Sequence, residues 1–270
     1  MTPWHYRWLC QFAYIDLPPS LVRRGQSLGD IARALLDASP SLPCGPLSTD
    51  ETEALRILRA TPALASLVLI DFVNRNAGSG FVAYALRAPD DSVHCILRGS
   101  ERRGCGVPTP VDWLDNFLTP FFSSVQYEDV SALARRFPDA RVTFSGHSKG
   151  AHNALYALAS LSNDRAAAVV FNGQGFVPGQ FTRPQKKRLQ RQAIHYVTRG
   201  DVVGSLLWHP ERRIFVRRQG TENAHALSSL TFDRRGQPVP AHRPAWSLAL
   251  EAGTRLCLAG LKGHPNMEML

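Results

Sequence analysis

Hydrophobic and polar positions divide the chain into alternating strands and helices. Short runs of β-branched and aromatic residues predict strands, and apolar residues three or four positions apart predict helices. The predicted strands are residues 81–87, 92–98, 141–145, 166–171, 193–198 and 213–217. The predicted helices are residues 9–16, 27–38, 128–137, 151–160 and 245–258, together with one that starts at Thr49 and has apolar spacing from 55 to 72.

This alternation predicts an α/β fold with a mostly parallel sheet, helices on both faces and an N-terminal helical segment. The chain has 270 residues, enough for one sizeable domain. We expect residues 1–76 to be its mainly helical N-terminal part, 77–233 its core, and 234–270 its C-terminal helix and tail. In a parallel sheet, functional residues lie at the carboxyl ends of strands.

Composition places the chain among ordinary globular proteins. Hydrophobic residues make up 44% and charged residues 20% of the sequence. The longest uncharged apolar run, near residues 62–70, is too short to span a bilayer.

The N-terminus lacks an apolar core with a cleavage site, which predicts a cytoplasmic protein, or one exported without a cleaved leader. The five cysteines are scattered and form no C-x-x-C pair, so neither a zinc ribbon nor a disulfide framework is indicated.

The net charge is +9, and its densest cluster lies at residues 183–191. No nucleic-acid-binding motif accompanies this cluster, and aromatic residues are not interleaved with it. We therefore expect no nucleic-acid partner and interpret the cluster as a solvated, basic surface helix. Transient contact with an anionic membrane surface is the alternative that the charge leaves open.

A G-x-S-x-G motif joins the strand at 141–145 to the helix at 151–160. This context is what a nucleophile elbow requires, because Gly146 and Gly150 leave room for a tight turn. Ser148 would then stand at the apex with its hydroxyl exposed, at a helix N-terminus that favours negative charge. The alternative is a glycine-rich turn in which Ser148 only caps the helix.

A serine hydroxyl needs a base to accept its proton and an acid to orient that base. In elbow-type hydrolases the acid and then the histidine follow the serine along the chain. Asp201 is the best candidate for the acid, since it follows a strand and a glycine. Its other interpretation is a cap for a helix over 202–208, and Asp233 is the fallback acid.

His225 is the best candidate for the base because it lies in a loop after the strand at 213–217. His209 and His242 remain alternatives. The expected oxyanion donors are the N–H of Lys149 and the loop at Gly99 and Ser100.

A segment rich in large apolar residues, 111–122, follows the predicted oxyanion loop. It would form either a lid or acyl pocket, or an ordinary helix packed on the sheet. Trp113 and Phe117 from this segment, with His147, are the substrate-pocket candidates.

Several segments together resemble the class 3 (fungal-type) lipase family and its bacterial lipase-like relatives. The residues Leu-Arg-Gly-Ser at 97–100 resemble the family's oxyanion strand, and those at 145–150 resemble T-G-H-S-L-G. The remaining similarities cover residues 12–16, 112–117, 171–176 and 198–203.

The resemblance implies an α/β-hydrolase fold and a serine acyl-ester hydrolase of the lipase, esterase or phospholipase kind, with no metal or organic cofactor. It implies that Ser148 is the nucleophile, Asp201 the acid and His225 the base. It also implies that Ser100 and Lys149 donate to the oxyanion.

Three residues depart from the family pattern. Lys149 replaces the usual Leu after the serine, Ala151 replaces a Gly, and Asn116 stands where relatives often carry an acid. A flexible cation at Lys149 would favour an anionic substrate such as a phospholipid over a triglyceride.

The predicted partner is therefore a lipid or small ester. Two of the other functions that stay open are a catalytically silent relative that binds lipid or protein, and a toxin-like effector phospholipase. A third is a basic scaffold that binds membrane or nucleic acid.

Overall fold

The order of strands in the sheet follows their order along the chain. The computed structural model describes residues 1–18, 20–42, 45–75, 78–100, 124–221 and 223–262. Within them, seven strands form one sheet in the order β1 to β7. The strands are β1 (Val68–Arg75), β2 (Phe81–Arg87), β3 (Val93–Leu97), β4 (Val142–His147), β5 (Ala167–Phe171), β6 (Ala193–Thr198) and β7 (Arg212–Val216).

The pairing of neighbouring strands changes once across this sheet, from antiparallel to parallel. β1, β2 and β3 pair antiparallel, and each pairing from β3 to β7 is parallel. The prediction of a mostly parallel sheet is confirmed. Because β3 to β7 run in the same direction, their carboxyl ends share one edge, which we call the carboxyl edge.

Helices cover both faces of the sheet. Tyr84 and Leu86 of β2 belong to a core shared with the N-terminal helices, whereas Ala83 and Ala85 belong to the core on the opposite face. This alternation is the period of two that a strand buried on both sides requires. The helices are α1 (Pro3–Phe12), α2 (Leu28–Ala38), α3 (Thr49–Ala60), α4 (Pro62–Ala65), α5 (Tyr127–Ala134), α6 (Lys149–Ser160), α7 (Arg183–Gln192) and α8 (Ala245–Lys262).

Two predicted N-terminal elements were misplaced. The first helix starts at Pro3 rather than residue 9, because Thr2 is extended and proline suits the first helical position. The apolar spacing at 55–72 is not one helix: α3 ends before Thr61 and Pro62, and Val68 opens β1. Proline cannot continue a helix, and the β-branched run after it favours a strand.

The predicted helix over 202–208 is also wrong. Only Val203–Ser205 forms a short 3-10 turn, and Leu207 has a positive φ of 68°. Trp208 instead exchanges backbone hydrogen bonds with Phe176, at 2.7 and 3.0 Å.

Within the described residues, no helix has the length and apolarity needed to cross a bilayer. The segment 111–122, with the pocket candidates Trp113 and Phe117 and the departure at Asn116, lies outside those residues.

Candidate active site

The sheet brings the predicted site residues to its carboxyl edge. Ser100 follows β3, Ser148 follows β4 and Asp201 follows β6. His225 reaches them from the chain beyond β7. Residues that are up to 125 positions apart in sequence thus meet because parallel strands end side by side.

Ser148 occupies a strained turn between β4 and α6. Its φ is 58° and its ψ is −127°, a conformation that non-glycine residues rarely adopt. Its N–H donates to the carbonyl of Phe171 at 3.1 Å, which ties the turn to β5. Such strain costs about 1–3 kcal/mol and is concentrated at functional sites.

The two glycines of the motif allow the strand and helix to approach closely. A Cβ on Gly146 would lie 2.3 Å from the backbone of Gly150. A Cβ on Gly150 would lie 2.1 Å from the carbonyl oxygen of Leu97. Both distances are too short for any side chain, so the motif's glycines are required by packing as well as by the turn.

Ser148, His225 and Asp201 form a continuous hydrogen-bonded chain. Nε2 of His225 lies 2.9 Å from Oγ of Ser148, and its Nδ1 lies 3.0 Å from Oδ1 of Asp201. An ionised carboxylate only accepts hydrogen bonds, so the proton of neutral His225 is on Nδ1 and Nε2 accepts from the serine. This is the tautomer in which a histidine can take the serine proton.

Asp201 also caps the turn that follows it. Its side chain is 1% exposed, and it accepts hydrogen bonds from the N–H groups of Val203 at 3.2 Å and Gly204 at 2.8 Å. The same carboxylate therefore both contacts His225 and caps the turn, the two roles between which the sequence left a choice.

Asn172 holds the His225 loop, and the sequence reasoning did not identify it. Its Nδ2 donates to the carbonyl of His225 at 3.1 Å, and its Oδ1 accepts the N–H of Thr198 at 2.8 Å. Its φ of 49° is one that asparagine tolerates better than most residues. The signal available in sequence was an asparagine directly after a buried strand.

His147 supports the same loop from the other side. Its Nε2 lies 2.7 Å from the carbonyl of His225, to which it must donate, so Nδ1 accepts from the Tyr14 hydroxyl at 2.8 Å. Its place in a substrate pocket stays a prediction.

The predicted oxyanion residues lie beside Ser148. A Cβ on Gly99 would be 3.3 Å from Cβ of Ser148, so the chain leading to Ser100 passes directly against the serine. Lys149 opens α6, where backbone N–H groups lack helical acceptors. The expectation that Lys149 is a flexible cation is wrong, because the residue is only 3% exposed.

The alternative bases lie elsewhere. Nδ1 of His209 is 2.7 Å from Oε1 of Glu211, and its Nε2 is 3.0 Å from the carbonyl of Leu206. His242 is exposed and lines a surface groove. Of the three candidate histidines, only His225 is bonded to Ser148 and Asp201 within the described structure.

One buried cluster in the described chain has the residue types of a metal site: His195, His209 and Glu211, with potential ligand atoms within 4.8 Å of one another. The N–H of Gly173 donates to Nε2 of His195 at 3.0 Å, which places the proton of neutral His195 on Nδ1, facing Glu211 at 2.8 Å. The nitrogen that would bind a metal is thus protonated, and the cluster does not fit a metal centre.

Burial and the contacts within this cluster shift the pKa values of two of its side chains. Burial opposes ionisation of Glu211, but the two histidines outweigh it and hold the pKa of its carboxyl below the usual value. Burial lowers the pKa of His195. The two nitrogens of His209 face Oε1 of Glu211 and the carbonyl oxygen of Leu206.

The mostly parallel sheet, the strained Ser148 turn and the Ser–His–Asp arrangement are those of an α/β-hydrolase fold. The chain belongs to the Mbeg1-like family, whose model matches residues 62–229. No curated protein matches the chain.

Several solved lipase structures are similar in fold. The triacylglyceride lipase of Rhizomucor miehei is 14% identical, with 79% of this chain and 78% of that one covered and a TM-score of 0.45. The Lip2 lipase of Yarrowia lipolytica is 14% identical, with coverages of 94% and 90% and a TM-score of 0.45. An MDLA variant from Penicillium cyclopium is 12% identical, with coverages of 87% and 84% and a TM-score of 0.49.

Proposed function

We propose that this protein is a serine acyl-ester hydrolase acting on lipid or small ester substrates. The observation that carries the proposal is the hydrogen-bonded chain from Ser148 through His225 to Asp201. Its distances, tautomer and burial fit nucleophilic catalysis, and the adjoining helix N-terminus suits a developing negative charge.

In the proposed reaction, Oγ of Ser148 attacks the ester carbonyl carbon while His225 takes the serine proton at Nε2. The carbonyl oxygen becomes an oxyanion held by the N–H of Lys149 and by Ser100. The tetrahedral intermediate collapses to an acyl-enzyme, and His225 gives its proton to the departing alcohol. Water, deprotonated by His225, then releases the acid and restores Ser148.

Asp201 keeps its charge throughout this cycle. It orients His225 and stabilises the imidazolium that forms in each half-reaction. The cycle needs no metal and no organic cofactor.

Hydrolysis of p-nitrophenyl butyrate tests the proposal. Wild-type protein should turn the ester over, and Ser148→Ala should lower kcat by about 10⁴-fold or more. Ser160→Ala, at the far end of α6, is the control and should keep wild-type activity. No turnover by folded wild-type protein, on this ester and on longer-chain esters, would favour a silent lipid- or protein-binding module instead.

A further inference from the structure

A cationic groove lies at the β6–β7 end of the carboxyl edge. Its volume is about 890 Å³, and its lining includes Arg199, Arg217, Arg218, His242 and Trp246. Arg199 follows β6 directly and is two residues before Asp201, and Arg217 follows β7. Adjacent strands are about 4.8 Å apart, so the end of β7 lies roughly 14 Å across the edge from that of β4 and Ser148.

Backbone hydrogen bonds fix the walls of this groove. The N–H of Arg199 donates to Val216 at 2.8 Å, and that of Arg217 donates to Val239 at 2.8 Å. Val216 also forms a β-bridge with Pro240. The three lining segments are therefore joined to one another, which gives the groove a defined shape.

Two of the groove's cations, Arg199 and Arg217, are not neutralised by carboxylates of the described chain. Arg199 and Arg217 are exposed, and neither forms an ion pair with a described residue. The nearby carboxylate of Glu251 is already used by Arg213 and by Arg243, the latter at 2.6 Å. An anion entering the groove would thus meet the guanidinium groups of Arg199 and Arg217, which form no ion pair with a carboxylate among the described residues.

An apolar side chain stands beside these cations. Trp246 lines the groove and is 42% exposed, and Val202, next to Asp201, is 53% exposed. Tryptophan is enriched at membrane–water interfaces, and arginine binds phosphate with a bidentate fork. This pairing suits a phosphate-bearing lipid surface better than a soluble anion.

We propose that this groove binds the phosphate head groups of an anionic phospholipid surface and so brings the carboxyl edge to its substrate. The role in substrate supply rests on the proposed hydrolase function, whereas the binding itself does not. The sequence linked a preference for anionic substrates to Lys149, and the proposal assigns this preference to Arg199 and Arg217 instead.

Vesicle co-sedimentation of the Ser148→Ala protein tests the proposal without any hydrolysis. The probes are vesicles of phosphatidylcholine alone and vesicles that also contain phosphatidylglycerol. We expect binding only to the second kind, and we expect Arg199→Gln/Arg217→Gln to weaken it about 10- to 30-fold at moderate salt.

The matched control is Lys187→Gln/Arg191→Gln, which removes the same charge from exposed positions of α7. This pair should weaken vesicle binding by less than about threefold, since long-range charge alone is screened. Equal losses in both pairs, or binding that ignores phosphatidylglycerol, would overturn the proposal. The proposal would also be overturned if a short RNA duplex bound through Arg199 and Arg217 and the vesicles did not bind.

Discussion

The carboxylate of Asp201 accepts hydrogen bonds from two directions. Oδ1 faces Nδ1 of His225 at 3.0 Å, and Oδ2 accepts the N–H of Gly204 at 2.8 Å. Because both oxygens are used as acceptors, the residue cannot be replaced by an amide without turning an N–H₂ group toward at least one hydrogen-bond donor.

Asp201→Asn should therefore lower kcat for p-nitrophenyl butyrate by about 10⁴-fold, since an amide N–H₂ facing His225 reverses its tautomer. Circular dichroism should show that the variant is folded. Activity within tenfold of wild type would mean that the tautomer of His225 does not limit the reaction.

Asn172 acts on the same histidine through its backbone. Asn172→Ala removes the donor to the carbonyl of His225 and the acceptor of the Thr198 N–H. A displacement of the imidazole by about 1 Å would reduce kcat on the same ester by about 10²-fold. Little change in kcat, with a loss of stability alone, would limit Asn172 to a structural role.

Some site residues leave a signal in the sequence, whereas others depend on contacts that only the fold creates. Ser148, Asp201 and His225 could be predicted as one set because chain order and strand ends are visible in sequence, and the three side chains are hydrogen-bonded in the structure. Asn172 was missed because its partner carbonyl lies 53 positions away, in a loop whose path only the fold determines. The burial of Lys149 was missed for the same reason.

At the scale of elements, the elbow depends on backbone contact between β3, β4 and α6. Gly150 lies where a Cβ would be 2.1 Å from the carbonyl oxygen of Leu97, on the neighbouring strand β3. No rotamer change relieves that contact, because the backbone fixes the position of a Cβ and the carbonyl oxygen that it meets is part of the backbone of β3.

Gly150→Ala should destabilise the protein by about 3 kcal/mol or more and abolish ester hydrolysis, because β3 and α6 must separate. The control is Gly253→Ala within α8, where an added Cβ meets nothing within 4 Å. It should raise stability by about 0.5–1 kcal/mol, as alanine favours a helix. Urea unfolding measures both, and equal small effects would contradict the packing argument.

The β-branched and aromatic composition of β2 to β7 made these strands recognisable. β1 was hidden, since the apolar spacing before Pro62 runs into the strand without a polar break. The turn after Asp201 was taken for a helix because Leu206, Leu207 and Trp208 are apolar. Instead, the backbone of Trp208 pairs with Phe176, and the carbonyl of Leu206 accepts the N–H of Gly175.

At the scale of the whole molecule, folding buries titratable side chains of the sheet. His94 on β3 is 5% exposed and lies 3.1 Å from the hydroxyl of Tyr6 on α1. Burial, and to a smaller extent the positive N-terminus, lower the pKa of His94 to about 4. The folded state thus keeps this histidine neutral in mild acid, whereas the unfolded chain binds a proton below its ordinary pKa of 6.5.

Stability should therefore fall as the pH drops from about 6.5 to about 4, with His94 contributing about 3 kcal/mol to the loss. His195, whose pKa is also lowered by burial, acts in the same direction. In urea unfolding, His94→Gln should show a shallower dependence on pH across this range, whatever its stability at neutral pH. An unchanged slope would mean that His94 is protonated in the folded protein.

Covalent labelling by a fluorophosphonate tests the central claim most directly, because it requires an activated serine and nothing of the substrate. Digestion and mass spectrometry should place one phosphonyl adduct on Ser148 of the wild-type protein, and the Ser148→Ala protein should carry none. Folded wild-type protein that stays unlabelled, or that is labelled on another residue, would contradict the assignment of Ser148 as the nucleophile.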